Sequence, residues 1–470
     1  MRNRIYGLET EYGCMPPDSD PFLSPDFISA KAKDCVFYRE SLGIVDIHYR
    51  GRDEPPGNGG FLFNGGRLYI DMGHVEYATP ECRSLFDLVA SDRAGELLVQ
   101  RSLEKLGLAE GASFFKNNID HYTGATFGCH ENYLVRRDVP FSQVLLPAIL
   151  PFFVTRQIYA GAGRVGCHTD IFESDEGKHQ EIPYQISQRA DHIVTEIYQW
   201  IQFSRAIINT RDEPLADWGL YRRLHLLVGD SNMSEYVNAL KVGATALMLD
   251  LLEERIVPDV ELLDPVKAIR DISRDLSYRW EVQLKDGTFT TARDIQNKYL
   301  ELAEQHLRGQ DAESDWVLDE WRFVLNALAY DPMSLVDRLD WVTKKWLLES
   351  FMVEERLDWQ DPWIQSLDLE YHNLNTSKGL YFDLRDQGLV KRVLDDRIVE
   401  AAISTPPQNT RARARSKVMR KLTDHKVRCV IDWDSIYIED EQYLNIDDPF
   451  LTYDVETAEF IAQIGVPLET

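Results

Sequence analysis

The chain has 470 residues, with 44% hydrophobic and 11% aromatic content, which excludes a disordered protein and predicts roughly two or three domains. Its 78 acidic residues outnumber 51 basic ones, giving a formal charge of −27. That balance argues against general nucleic-acid binding, which relies on clustered cations to neutralise phosphates.

Met1 to Ile5 runs directly into a strand-like pattern, leaving no room for a signal peptide. Ile5 to Gly13 alternates with period two, placing Tyr6, Leu8, Thr10 and Tyr12 on one face and Glu9 and Glu11 on the other. Two carboxylates on one strand face repel unless water or a cation lies between them, and hard divalent ions such as Mg²⁺ prefer oxygen ligands. Residues 14–60 read as a long excursion rich in turn chemistry, including Pro16, Pro17, Pro21, Pro25 and the Arg52–Gly60 segment, with a short helix around Pro25–Glu40. The chain returns to the sheet at Phe61. In the strand that follows, Leu68 and Ile70 point one way, and Arg67, Tyr69 and Asp71 share the other face. A cation, a phenol and a carboxylate together are poor core material, and Glu76 adds a second carboxylate after Gly73.

Ser84–Leu106 has helical spacing and a stop at Gly107. Strands are predicted at Ser113–Asn118 and Gly128–Arg136; in the second, Glu131 lies with Tyr133 and Val135, and His130 and Asn132 lie opposite. A lone buried Glu or His is more often a satisfied structural residue than a ligand. Phe141–Tyr159 reads as helical, but Pro147 and Pro151 interrupt its apolar run Val144–Val154, which is too short to span a bilayer. Gly161–Gly166 lacks a strand–turn–helix frame and reads as a turn. The polar segment Ile208–Pro214 precedes a basic strand that aligns Arg223, His225 and Leu227, with Asp212 or Glu213 as possible ion-pair partners.

Amphipathic helices are expected at Ser234–Arg255, through Trp316–Leu328, and over Leu335–Leu357. Pro406-Pro407 marks the best domain break. The basic run Arg411–Lys421 that follows reads as solvated surface, Val427–Ile438 as one strand carrying Trp433, and Asp454–Ile464 as a closing helix. The six cysteines (Cys14, Cys35, Cys82, Cys129, Cys167, Cys429) contain no Cys-x-x-Cys pair, which fits reduced thiols in a soluble, cytoplasmic protein.

Taken together, several of these stretches resemble one family, the Pup ligase and Pup deamidase/depupylase enzymes. The matching pieces are Gly7–Gly13, Asn64–Asp71, His74–Ala78, Lys116–Asn118, Gly128–Tyr133, Ile208–Pro214, Tyr221–His225 and Thr405–Arg413, in family order over nearly the whole chain. The resemblance implies an α+β fold: a large glutamine-synthetase-like (carboxylate–amine ligase) domain over 1–408, whose curved antiparallel sheet is packed by helices, and a small C-terminal domain over 409–470. It also implies ATP and Mg²⁺ as cofactors. By motif, Glu9, Tyr69 and Glu76 correspond to magnesium positions, Arg67, Thr79 and Trp433 to ATP contacts, and Asp71 to the catalytic base. Arg211, Arg223 and His225 are further candidates for phosphate or metal contact. The implied partners are a Pup-like modifier and lysine-bearing proteins, with the enzyme a monomer.

The family divides into ligases and amidases built on nearly the same site. Gly128-Cys129-His130, Gly229–Glu235 and Leu367–His372 look more like the ligase branch. The short Asp71–Glu76 spacing matches the amidase branch, the 14–60 excursion is long for a ligase but shorter than the amidase loop, and Val75 stands where the family usually has proline. A relative acting on another carboxylate is a third reading. A catalytically silent binding protein is disfavoured because Glu9, Asp71 and Glu76 are all present.

Overall fold

A computed structural model describes residues 4–17, 22–50, 54–121, 124–166, 182–199, 205–438 and 442–464. Pro21, Arg52, Asp53 and Cys167 lie outside the described residues. The first strands are β1 (Tyr6–Met15), β2 (Gly43–Val45), β3 (Gly59–Leu62), β4 (Arg67–Asp71), β5 (His74–Ala78), β6 (Ser113–Phe115) and β7 (Cys129–Arg136). A short ladder of β8 (Arg164–Val165) and β9 (Tyr184–Gln185) precedes β10 (Thr195–Tyr198), β11 (Ala206–Asn209) and β12 (Tyr221–Leu226). The main sheet runs β10-β11-β12-β7-β1-β5-β4-β3-β2, with β6 also paired to β1. Its pairs are antiparallel except at one edge, where β10 and β11 are parallel.

Helices cover the apolar face of this sheet. They are α1 (Pro25–Asp34), α2 (Leu85–Leu106), α3 (Leu146–Thr155), α4 (Gln157–Ala160), α5 (Glu235–Glu253) and α6 (Pro265–Arg274). After the hairpin of β13 (Glu281–Gln283) and β14 (Phe289–Thr291) come α7 (Ala292–Leu307), α8 (Ala312–Tyr330), α9 (Asp340–Glu355), α10 (Pro362–Glu370), α11 (Leu380–Asp386) and α12 (Asp396–Ala402). The predicted stop of α2 holds, since Gly107 closes the helix at φ 72°; at the start the Ser84 hydroxyl accepts from Asp87 N–H. Helix α5 begins at Ser234, whose hydroxyl accepts from Val237 N–H. It is buried on almost every side, because α2, α7 and α8 surround it in the largest core cluster. Among the described residues no helix is long and apolar enough to cross a membrane.

The approach of α2 to the sheet depends on Gly95. A Cβ there would lie 2.3 Å from Cδ1 of Tyr77 on β5. Tyr77 is fully buried, and its hydroxyl accepts from Asn64 Nδ2 at 2.9 Å, so the ring has nowhere to go. Gly95→Ala should therefore cost toward the upper end of ~1–3 kcal/mol by overpacking, more than the ~1 kcal/mol gained in helix propensity. A lower denaturation midpoint with an unchanged denaturant slope checks this.

After residue 408 come α13 (Ala412–His425), β15 (Cys429–Ile431), β16 (Ser435–Ile438), β17 (Gln442–Asn445) and α14 (Asp454–Gln463). They share a small core that Phe61 of β3 and Phe63 in the turn after it also enter. Three expectations need correction here and in the preceding helices. Val427–Ile438 is a hairpin of β15 and β16, with Trp433 in its turn, which Asp432 N–H closes by donating to Ser435 O at 2.8 Å while the Asp432 carboxylate accepts from Trp433 N–H. Leu335–Leu357 is not one helix: Pro332–Leu335 forms a 3₁₀ turn, and α9 starts only at Asp340. The basic run is not wholly solvated, since Arg411 and Arg415 are buried against Glu81. The 14–60 excursion also carries more order than a loop, with α1, a π-helical turn over Cys35–Arg39 and the edge strand β2. Among the described residues Cys14, Cys35, Cys82, Cys129 and Cys429 are free thiols.

Candidate active site

The face of the main sheet opposite α2 and α5 is polar across five neighbouring strands. On β1, Tyr6, Leu8, Thr10 and Tyr12 are buried, and Glu9 and Glu11 face the other way. Register places Glu11 directly opposite Glu76, and Tyr69 opposite Glu76 on its other side. Asp71 pairs with His74 across a two-residue turn, Met72-Gly73, in which both residues have positive φ (45° and 91°). This tight hairpin accounts for the short Asp71–Glu76 spacing. It pairs residues i and i+3, so Asp71, Glu76 and Tyr69 still share one face.

On the other flank, Glu9 pairs with His130 of β7, and His225 of β12 pairs with Asn132. Arg223 Nη2 donates to Glu9 Oε1 at 2.9 Å, and Arg223 Nε to Asn132 Oδ1 at 2.6 Å. His130 Nδ1 and His225 Nε2 stand 3.4 and 3.6 Å from Glu9 Oε2. Glu131, one residue away on the opposite face, is a structural group. It is fully buried, accepts from Arg156 and from Tyr133 Oη at 2.7 Å, and takes no part in this face.

The electrostatics call for cations. Burial, together with the Glu11, Glu9 and Asp71 carboxylates, pushes Glu76 well above the usual carboxylate range. Burial and Glu11 also raise Asp71, against the opposing pull of His130 and His74. Burial opposes ionisation of Glu9, but Arg223, His130 and His225 outweigh it and hold that carboxyl low. Burial, with Arg223 alongside, keeps His225 well below the usual histidine range, in its neutral, ligand-competent form. Neither ring nitrogen of His225 has a hydrogen-bond partner among the described residues. Burial and the facing Glu76 hold the Tyr69 phenol protonated.

Two donor sets result. Glu11, Asp71 and Glu76 bring one oxygen each within 4.8 Å of one another, as do the donors of Glu9, His130 and His225. The all-oxygen set suits a hard ion such as Mg²⁺, and the mixed set adds imidazole nitrogen. Glu9 and Glu76, expected together, thus fall in adjoining sets, with Tyr69 facing Glu76.

Of the residues expected to contact ATP, Arg67 lies beside this cluster, on the face of β4 that it shares with Tyr69 and Asp71. Arg67 is 7% exposed, and its Nε has no partner among the described residues. Its guanidinium lies over the rings of Tyr69 (4.7 Å) and Phe61 (5.9 Å). Phe61 in turn meets Trp433 edge-on at 5.1 Å. Arg415 holds the Trp433 turn from behind, donating to Trp433 O at 2.7 Å, with its guanidinium 4.9 Å from the indole. Thr79 Oγ1 accepts from Leu8 N–H at 3.0 Å, and Thr79 N–H donates to Leu8 O at 2.9 Å, locking β1 to the end of β5. Arg211 is exposed and bonded to Glu213, so its side chain does not join Arg223 on Glu9.

Glu11 and His130 join the donor sets although the family resemblance assigns neither of them a role. Period two had marked Glu11 as a partner of Glu9, and His130 as lying opposite Glu131. What it lacked was the order of strands that stacks those positions.

The comparisons with known proteins agree with one another. A family model described as Pup-ligase protein matches residues 4–437. Among curated relatives, a Pup–protein ligase of Kineococcus radiotolerans is 39% identical, covering 97% of this chain and 98% of the relative. One from Acidimicrobium ferrooxidans is 38% identical, covering 99% of each. A crystal structure of Pup in complex with its ligase PafA superposes with a TM-score of 0.84 at 35% identity, over 98% of this chain and 91% of that one. PafA in complex with ADP matches with a TM-score of 0.78 at 35% identity, over 94% and 93%. The chain belongs to the Pup-ligase protein family.

Proposed function

We propose that this protein is an ATP- and Mg²⁺-dependent ligase that joins the C-terminal glutamate of a Pup-like modifier to a lysine of a target protein. The observation that carries this reading is the convergence of Glu9, Glu11, Asp71 and Glu76 with two arginines, Arg67 and Arg223, on one sheet face. Glu11 and Glu76 would hold one divalent ion, with Tyr69 facing Glu76 and Asp71 alongside as the base, and Glu9 would hold another beside its two histidines. Magnesium bound there supplies charge neutralisation for phosphoryl transfer.

The residues then have distinct tasks. Arg67, whose buried Nε has no partner among the described residues, receives a phosphate group of ATP in its planar donor fork. Trp433 and Thr79 border the same nucleotide site, the indole positioned by Arg415 and edge-on to Phe61. The modifier's glutamate carboxylate attacks the γ-phosphorus of ATP, releasing ADP and forming an acyl phosphate. A lysine amine, protonated at neutral pH, must lose a proton to attack that acyl carbon. Asp71 takes the proton, inorganic phosphate leaves, and the isopeptide bond remains. The enzyme works in the cytoplasm as a monomer, with the elements after Gln408 as its small domain.

The reading is tested by incubation with ATP, Mg²⁺, a modifier peptide ending in glutamate, and a lysine-bearing protein. ADP and a modifier–protein adduct should appear together, vanish with chelator and return with excess Mg²⁺. Ammonia release from a glutamine-ended peptide, with no adduct, would assign the site to an amidase instead.

A further inference from the structure

Arg67, the group best placed to receive a phosphate, is already engaged. Its Nη2 donates to Glu54 Oε2 at 2.6 Å. Glu54 lies outside the sheet, in the connection between β2 and β3, with its side chain 37% exposed. Among the described residues Arg67 is the only group its carboxylate bonds.

The placement is built on both sides. Before Glu54, Arg50 is fastened to the small C-terminal core, donating to Asp432 Oδ2 at 2.8 Å and Ile431 O at 2.5 Å. After it, Asn58 is pinned to β4 by two bonds: its Nδ2 donates to Ile70 O at 2.7 Å, and Ile70 N–H donates to Asn58 O at 3.0 Å. Lys33 of α1 donates to Gly57 O at 2.5 Å, and the two prolines Pro55 and Pro56 restrict the backbone between. Glu54 is thus presented to Arg67 by anchors on β4, on α1 and next to Trp433.

We infer that Glu54 is an internal anionic competitor that occupies Arg67 when the nucleotide phosphate is absent. This rests on the ATP-site reading above. A phosphate group carries more charge than a carboxylate and accepts the guanidinium fork at two oxygens, so it displaces Glu54 on binding. When the product leaves, Glu54 reclaims Nη2 and Arg67 is not stranded as an unpaired buried cation. The consequence is weaker nucleotide binding than Arg67 alone would give, which favours ADP release. A partly exposed ion pair of this kind changes an affinity by roughly 2- to 5-fold.

Glu54→Gln keeps the shape and removes the charge; Glu54→Ala removes both. Calorimetric titration of each variant and of the unaltered protein with ADP and Mg²⁺ tests the idea. Both variants should bind ADP roughly 2- to 5-fold more tightly than the unaltered protein. Affinity that is unchanged or weaker would overturn it, weaker binding meaning that Glu54 props Arg67 for phosphate instead. Failure of the unaltered protein to bind ADP would defeat the ATP-site reading itself. Binding by the unaltered protein with no gain in either variant would defeat this inference alone.

Discussion

Asp71→Asn is expected to cut modifier transfer by roughly 10²- to 10⁴-fold, the usual contribution of a positioned general base, while nucleotide affinity at saturating Mg²⁺ stays unchanged. Asparagine keeps the shape of the side chain on β4 but cannot accept a proton from the lysine amine. The groups assigned to nucleotide, Arg67, Thr79 and Trp433, make their contacts with Glu54, Leu8, Phe61 and Arg415, and none of these bonds involves Asp71. Single-turnover transfer and ADP titration, measured on the same preparation, separate the two effects. An equal loss of ADP affinity would mean that Asp71 acts mainly as a metal ligand within the Glu11–Asp71–Glu76 set.

The second large effect is expected at Glu81, whose loss should destabilise the protein by about 3–5 kcal/mol, the cost of breaking a buried ion pair by removing one partner. Its carboxylate accepts from Arg411 Nε at 2.6 Å and from Arg415 Nη2 at 2.6 Å, and Arg415 is fully buried. Glu81→Ala would strand both guanidiniums. Because Arg415 also holds Trp433 O, ADP affinity should fall along with the melting temperature.

The pH dependence has a defined direction. Burial opposes ionisation of Glu81, but Arg415 and Arg411 outweigh it and lower its pKa from 4.5 to about 2. Its stabilising contribution is therefore complete above about pH 4.5 and is lost as pH falls toward 2. Denaturant titrations should show a constant stability gap between the unaltered protein and Glu81→Ala near neutrality, narrowing progressively below pH 4.5. A gap that instead grows on acidification would contradict the pairing.

Much of the site was legible in the strands themselves. Period two sorted Glu9 from Leu8, and Tyr69 and Asp71 from Leu68, because each strand has one face in a core and side-chain direction alternates strictly. The spacing of Leu85, Leu88 and Val89 announced α2, and Gly107 its end, because a left-handed residue there satisfies the last free carbonyls. The strand order was not legible. Nothing in the local pattern of β12 says that it lies two strands from β1, so Arg223 could not be tied to Glu9, 214 residues away. The same limit explains the basic run. Arg411 and Arg415 read as solvated surface because their partner Glu81 is 330 residues or more distant. The hairpin around Trp433 is hidden for a local reason: Asp432-Trp433-Asp434 has neither glycine nor proline to mark the turn that Asp432 N–H closes on Ser435 O.

The most direct test of the ATP-dependent ligase assignment follows an oxygen atom. A modifier peptide whose terminal glutamate side-chain carboxylate carries ¹⁸O is incubated with the protein, ATP, Mg²⁺ and a lysine-bearing target. If the carboxylate is phosphorylated before the amine attacks, one labelled oxygen per adduct appears in inorganic phosphate. Adduct or hydrolysis product forming while the phosphate stays unlabelled would contradict the assignment.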